Sequence, residues 1–337
     1  MPQSITNLLP DIIVDIVDIG ANLIDGDPPY ARLVKEGRAK VVGFEPNEAA
    51  LQGLLAVKGP HETYLPYAVG DGQKHVFNLC KGPGMSSLLK PDRELLENFY
   101  GFPEWATVMN QVEVETKRLD DISEIGAMDF LKIDIQGYEL NVLMHGVQKL
   151  QETLVIQTEV EFLPMYENQA LFAEVDLFLR LQGFMLHKLY PIVTRTFQPM
   201  LVNNDIYQGL NQVLWTDAVY VRNFRTFDNM SPEKLGSLAV ILHEVYNSWD
   251  LALRALMSRD RQLGGDESAR YMRSFAPKSA DSELEQALTR LRKLAADPTA
   301  EPVPQLPRHT PKLGAYVGDL SPAEFREAIG CPPQTID

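Results

Sequence analysis

The sequence predicts an α/β domain, a mostly parallel sheet with flanking helices over about residues 14–221, followed by a helical extension. Two observations carry this expectation. Short β-branched runs alternate with longer segments of helical periodicity through the first two-thirds of the chain, which is the rhythm of a parallel sheet covered by helices. After Phe227 the β-branched runs stop, and helical patterns and a proline-rich stretch replace them. The domain boundary is accordingly set between residues 228 and 229.

The elements follow in order. Strands are expected at 13–19, 41–45, 63–69, 130–134 and 153–159, with shorter ones at 76–79 and 112–116. Segments 183–189 and 213–221 complete the sheet. Pro28 and Pro29 suit a helix start, Tyr30, Leu33 and Val34 supply its apolar stripe, and Gly37 closes it. Pro46 opens a helix carrying Ala49, Ala50, Leu54 and Leu55. A short helix over 138–145 is stopped by Gly146, and another over 171–181 ends before Gly183. In the extension, Ser231-Pro232-Glu233 is a helix-start signature, followed by Leu235, Leu238, Ile241, Leu242, Val245 and Trp249 at helical spacing. That stripe suits internal packing or homo-oligomerisation. A charged helix over 282–296, a proline-broken strap over 298–311 and a short helix from Ser321 complete the chain.

Composition narrows the functional classes. The chain has 337 residues, of which 45% are hydrophobic and 23% charged, ordinary values for a globular protein long enough for a full α/β core and an appendage. A formal charge of -15 argues against nucleic acid or an anionic membrane as the main partner. Cys80 and Cys331 provide neither a disulfide framework nor a metal-ligand cluster, so no metal is expected. The N-terminal segment lacks the basic and apolar regions of a signal peptide, and no run approaches the roughly 20 apolar residues of a membrane span. A reduced, cytoplasmic setting is expected.

The chemistry concentrates at strand ends. Asp18-Ile19-Gly20-Ala21-Asn22 follows an apolar strand, and glycine there lets the backbone approach a ligand. Asp18, Gly20 and Asn22 are therefore candidate cofactor contacts, although a tight turn alone would look the same. Glu45 ends the second strand 25 positions after Gly20, close to the spacing of a carboxylate that holds a ribose diol. Asp71, in Gly70-Asp71-Gly72 after the third strand, is a candidate adenine contact or the corner of a hairpin. The fourth strand ends in Asp134 and Gln136, with Lys132 alternating between Leu131 and Ile133. Asp134 is the first candidate for positioning substrate, taking a proton or touching the cofactor. Glu139 suits a helix N-terminus. Glu159 and Glu161 end the next strand and can orient a polyol substrate, while His145 and His187 are further possible bases. The segment from Gly82 to Ser87 and the insertion over 90–110, with Tyr100 and Trp105, can cover the site.

Six segments in order now resemble a known family. They are Val17-Asp18-Ile19-Gly20-Ala21-Asn22, Gly43-Phe44-Glu45-Pro46-Asn47, Ala68-Val69-Gly70-Asp71, Met85-Ser86-Ser87-Leu88, Arg118-Leu119-Asp120-Asp121 and the stretch from Leu131 to Glu139. Together they are similar to the FkbM family of S-adenosylmethionine-dependent methyltransferases, over roughly residues 11–221. The resemblance implies a Rossmann-like class I methyltransferase fold with a seven-stranded sheet. It also implies S-adenosylmethionine bound by Gly20 and Glu45, and O-methylation of a hydroxyl on a sugar, glycan or other small natural product. Family members commonly continue Gly-Ala-Asn with one residue and another glycine. Here Leu23, Ile24 and Asp25 intervene before Gly26, and in the longer loop Asp25 and Asp27 either suit the cofactor's ammonium or sulfonium or are solvated loop acids.

Two other readings stay open. An NAD-linked oxidoreductase also uses a ribose-binding acid, but no full G-x-G-x-x-G follows the first strand. A non-catalytic methyltransferase-fold module for binding or assembly is compatible with the fold alone.

Overall fold

The computed structural model describes residues 4–22 and 26–275, together with Thr289. Apart from Thr289, the expected helix at 282–296 lies outside the described residues, as do the proline-rich strap, the helix from Ser321, Cys331 and residues 23–25.

The strands in chain order are β1 (Val14–Ile19), β2 (Ala39–Phe44), β3 (Glu62–Leu65), β4 (Ala68–Gly70), β5 (Lys74–Cys80), β6 (Val108–Arg118), β7 (Phe130–Ile133), β8 (Val155–Glu161), β9 (Phe184–Arg195) and β10 (Gln212–Arg222). Seven form one sheet in the order β3-β2-β1-β7-β8-β10-β9. The pairs from β3 through β8 are parallel, and β10 runs antiparallel to both β8 and β9. This is the Rossmann-like arrangement of a class I methyltransferase sheet, mostly parallel with one reversed strand. The helices are α1 (Ala31–Lys35), α2 (Glu48–Val57), α3 (Arg93–Leu96), α4 (Phe102–Trp105), α5 (Glu139–Met144), α6 (Val147–Leu150), α7 (Phe172–Leu181), α8 (Pro232–Glu244), α9 (Trp249–Leu263) and α10 (Glu267–Arg273).

The central strands are rich in apolar residues because both faces are buried, although Asp15 and Asp18 interrupt β1 and Lys132 interrupts β7. In β1, Val14 and Ile16 join a core shared with α1, α8 and α9, while Val17 and Ile19 join the opposite core with α5 and α7. The α8 stripe is thus consumed within the chain: Leu235, Leu238, Ile241 and Leu242 are all buried in the first of these cores.

Local chemistry explains several helix ends. Tyr30 precedes α1, and Gly37 closes it with φ +67°. Asn47 caps α2 by accepting from the Ala50 amide at 3.1 Å. Ser231 accepts from Lys234 N at the start of α8.

Several boundaries shift by a few residues, β9 and β6 running longer than expected and α1 and α2 starting after their prolines, and two differ in kind. The strand expected at 63–69 is divided by Pro66: β3 is the edge of the main sheet, and β4 pairs with β6 in a second, three-stranded sheet. Proline has no amide to continue the ladder, so the chain changes sheets there. The helical pattern that continued to Trp249 is divided as well. The α8 helix ends at Glu244, Asn247 takes a left-handed conformation with φ +54°, and Trp249 starts α9.

The order of the sheet positions the site. From β1 the chain moves outward through β2 to β3, then crosses back to place β7 on the other side of β1. A crevice opens at the carboxyl ends of β1 and β7, where an open α/β sheet receives ligands.

Candidate active site

The crevice is built from backbone first. Gly20 follows β1 with φ +83°, and a Cβ placed on it would lie 2.0 Å from the carbonyl oxygen of Asp134. Glycine at this position is therefore demanded by the neighbouring strand, in addition to any ligand. The amides of Gly20 and Ala21 both donate to the Phe44 carbonyl, at 3.0 and 3.1 Å, which locks the turn against β2.

Two adjoining cavities open here. The smaller, about 320 Å³, is lined by Gly20, Asn22, Glu45 and Pro46, with Phe77, Leu79 and Ile135 as apolar walls. The larger, about 520 Å³, is lined by Asp18, Lys132, Glu159, Glu161, Asp217 and the aromatic residues Tyr30, Tyr64, Phe102, Tyr166, Tyr190 and Trp215. Asn22, Gly84, Asp134 and Gln136 belong to both walls.

Glu45 is 6% exposed, and its carboxylate accepts from the Asn47 amide at 2.7 Å. Burial pushes its pKa up, the Asn47 amide and the Asn22 side chain oppose the rise, and nearby Asp18 adds to it. Asp18, at the end of β1, accepts from Tyr30 Oη at 2.5 Å and from Lys132 Nζ at 3.4 Å. Lys132 Nζ also lies 3.9 Å from Asp134. Burial alone would discharge this lysine, but Asp18, Asp134 and Asp217 hold its pKa above the ordinary value. Lys132 is thus the cation of an otherwise acidic wall.

Gln136 sits at the centre of that wall. Its Nε2 donates to Asp134 Oδ1 at 3.1 Å and to Glu159 Oε2 at 2.8 Å, and its Oε1 accepts from Tyr166 Oη at 3.1 Å. Burial, then the neighbouring carboxylates, pushes Glu159 and Glu161 well above the usual carboxylate range. Glu139 is pushed up to about 7 by burial, against the lowering effect of the Ile135 and Gly137 amides that it accepts at 2.9 and 3.1 Å. Its place is at the N-terminus of α5, where it fastens the loop after β7.

These buried acids have a consequence for stability. Each holds its proton in the fold to a higher pH than in the unfolded chain, whose glutamates titrate near 4.5. The folded state therefore binds more protons, and stability falls as pH rises from about 4.5 to about 7, and further for Glu159 and Glu161. The melting temperature is expected to drop between pH 5 and pH 8, with a shallower slope in Glu161→Gln. Equal slopes in the two proteins would remove Glu161 from this account.

The structure brings together most of the residues singled out in the sequence. Asp18, Asn22, Asp134, Glu159 and Glu161 line the larger cavity, and Gly20, Asn22, Glu45 and Asp134 line the smaller one. Asp71 lines neither. It accepts from His75 Nε2 at 2.8 Å, Gln73 N at 2.9 Å and Thr116 Oγ1 at 3.2 Å in the turn after β4. Partial burial opposes these contacts, but the His75 and Gln73 bonds hold its carboxyl down at about 2. The division of the strand at Pro66 is what removes Asp71 from the crevice. His145 Nδ1 contacts Asn141 O at 2.8 Å at the end of α5, and His187 contacts Ser248 at 2.6 Å, so both lie outside the two walls. Asp27 lines the larger cavity and pairs with Lys35 at 2.9 Å, whereas Asp25 is outside the described residues.

The Met85-Ser86-Ser87 segment is tied into the site. Ser87 Oγ donates to the Gln136 carbonyl at 2.7 Å, and Gly84, Met85 and Ser86 sit on the cavity walls. In the insertion, Phe102 reaches the larger cavity, while Trp105 stacks on Tyr207 with ring centroids 5.6 Å apart. Sequence reasoning placed Tyr30 only in the apolar stripe of a helix, gave no role to Tyr166 and named no partner for Lys132 or Gln136. A lysine inside a strand expected to be buried on both faces was the available signal, because such a charge needs a partner.

Comparison with known proteins places this geometry in context. Residues 18–186 match the family model described as the methyltransferase FkbM domain. The 2-O-methyltransferase NoeI of Sinorhizobium fredii (strain NBRC 101917 / NGR234) is 31% identical over 167 residues, covering 46% of this chain and 66% of that protein. The chain thus spans just under two thirds of that relative's length. Among solved structures, magnesium protoporphyrin IX methyltransferase of Synechocystis PCC 6803 with bound SAM aligns at 13% identity and a TM-score of 0.34, over 65% of this chain and 76% of that one. A putative methyltransferase of Thermoplasma acidophilum aligns at 10% identity and a TM-score of 0.33, over 63% and 69%. Likenesses this low add nothing to what the sheet order itself shows.

Proposed function

The chain belongs to the FkbM methyltransferase family, and we propose that it transfers a methyl group from S-adenosylmethionine to a hydroxyl of a sugar, glycan or other small natural product. The observation that carries this reading is the charge of the two cavities. Their walls bring Asp18, Asp27, Asp134 and Asp217 against Lys132, and the smaller cavity has no Lys, Arg or His among its described lining residues. Such a site favours a donor with a cationic sulfonium and ammonium, and disfavours the anionic diphosphate of NAD.

The residues present fit the donor. Glu45 would hold the ribose diol, Gly20 and Asn22 would face the donor's backbone-like end, and Phe77, Leu79 and Ile135 would pack on its base. When bound, the donor supplies an electrophilic methyl group, and the protein is left to orient the acceptor and manage one proton. Asp134, shared by both cavities, receives the hydroxyl proton. Glu159 and Glu161, whose protonated form burial favours, donate to and orient other hydroxyls of a polyol. The aromatic walls exclude water. The printed activity of the NoeI relative, 2-O-methylation, supports oxygen as the accepting atom.

The remaining assignments belong to the same proposal. The methyltransferase domain runs to residue 228, with 229–337 as a helical extension. Among the described residues no helix is long and apolar enough to cross a membrane. With the acidic charge, this favours a cytoplasmic protein acting on small-molecule or glycan acceptors rather than nucleic acid. A homo-oligomer through the C-terminal helices would use surfaces other than the buried α8 stripe.

Calorimetric titration tests the cofactor half of this reading. S-adenosylmethionine and its demethylated product are expected to bind, and Glu45→Ala to weaken binding by about 1–3 kcal/mol, the cost of leaving hydroxyls unpaired. Binding of NAD but of neither sulfur compound would overturn the assignment. Unchanged affinity in Glu45→Ala would move the ribose elsewhere.

A further inference from the structure

Gln136 stands out among the residues lining both cavities. Its backbone is left-handed, with φ +60°, a conformation that a non-glycine residue adopts at a cost in free energy. The next residue, Gly137, also has positive φ, and Ser87 Oγ secures the Gln136 carbonyl at 2.7 Å. A glycine at 136 would relieve the strain but would remove every side-chain contact made there.

Tyr166 Oη donates to Gln136 Oε1 and thereby turns the amide so that both Nε2 protons point at carboxylates. One reaches Asp134 Oδ1 at 3.1 Å, and the other reaches Glu159 Oε2 at 2.8 Å. The other oxygen of Asp134 is left toward Lys132, 3.9 Å away, at the edge of the cavity. The two acids thus receive different surroundings through one side chain: Asp134 has the amide and a lysine, and Glu159 has the amide and burial.

We propose that Gln136 is a positioning residue that fixes Asp134 and Glu159 in separate roles, Asp134 as proton acceptor and Glu159 as hydroxyl donor toward the substrate. This rests on the reading of the cavities as a methyl-transfer site. The charged groups facing the pair are Lys132 on β7, Glu161 on β8, Glu139 on α5, Asp217 on β10 and, through Lys132, Asp18 on β1. Removal of the amide leaves Asp134 and Glu159 as adjacent acids with no donor between them, so they retain a shared proton to higher pH.

Gln136→Gly tests this without adding strain, and Gln136→Asn returns a shorter amide in a residue that tolerates the left-handed conformation. The acceptor probe is whichever of a panel of hexose and deoxyhexose methyl glycosides the wild-type protein methylates fastest. Gln136→Gly is expected to keep its fold and its affinity for the demethylated cofactor, and to lose about 10- to 100-fold in kcat with little change in KM. The acid limb of its kcat profile is expected to move up by about one pH unit, and Gln136→Asn to recover part of both effects. Independently of any acceptor, the fall of melting temperature between pH 5 and pH 8 should steepen in Gln136→Gly. A wild-type kcat in Gln136→Gly would overturn the proposal. So would a reduced kcat with an unmoved acid limb and an unchanged slope of melting temperature, which is the signature of a merely structural residue. Failure of the wild-type protein to methylate any glycoside while binding the cofactor would instead overturn the methyl-transfer reading beneath it.

Discussion

Gly20→Ala is expected to destabilise the fold by at least about 3 kcal/mol and to abolish measurable cofactor binding. Two independent penalties coincide at this position. The backbone has φ +83°, which strains any L side chain, and the added Cβ would sit 2.0 Å from the Asp134 carbonyl oxygen. That oxygen belongs to backbone at the end of β7, so it cannot rotate away. The ends of β1 and β7 would have to separate, breaking the Asp134 N to Ile19 O bond of 3.0 Å and opening the floor shared by both cavities. Urea unfolding together with titration of the demethylated cofactor reads both effects. A midpoint within experimental error of wild type would show that the turn can relax, and that Gly20 serves the ligand alone.

Asp134→Asn is expected to separate chemistry from binding. The amide keeps the size of the carboxylate but cannot take a proton, so turnover should fall by about 10²- to 10⁴-fold, the usual contribution of a positioned base. Lys132 retains Asp18 as a partner at 3.4 Å, so the cavity keeps its central cation and the fold should survive. Steady-state kinetics with parallel calorimetry provides the comparison. Turnover equal to wild type would remove Asp134 from the proton path, and an equal loss in binding and turnover would make it a cofactor contact only.

The sequence made the central sheet legible because strands buried on both faces are rich in apolar and β-branched residues, as in β1, β7 and β8, even where Asp15, Asp18, Lys132 or Gln157 interrupts them. It also revealed the strand-end residues Gly20, Glu45 and Asp134, since crevice residues in an open sheet must lie there. The differences have equally local causes. Pro66 lies inside the expected third strand, and where the chain changes sheets there Asp71 takes the second of its two expected places, the turn between β4 and β5, and not a cavity wall. Helical spacing ran through Asn247 without a break in apolar periodicity, so the end of α8 was hidden. The role of Lys132 depends on Asp18, 114 positions away, and that of Gln136 on Tyr166 and Glu159. Such pairings exist only once the sheet has assembled. Local pattern can mark a lysine as misplaced in a core strand, but cannot name its partner.

The central claim is that this crevice moves a methyl group from a sulfonium donor to a hydroxyl. Incubation of the protein with methyl-labelled S-adenosylmethionine and a panel of glycosides, followed by location of the label in the products, tests it most directly. The account predicts a labelled O-methyl ether and one equivalent of demethylated cofactor for each methyl transferred. Tight binding of the cofactor with no label in any glycoside or cell-extract metabolite would contradict it, and would leave the chain as a binding module built on a methyltransferase fold.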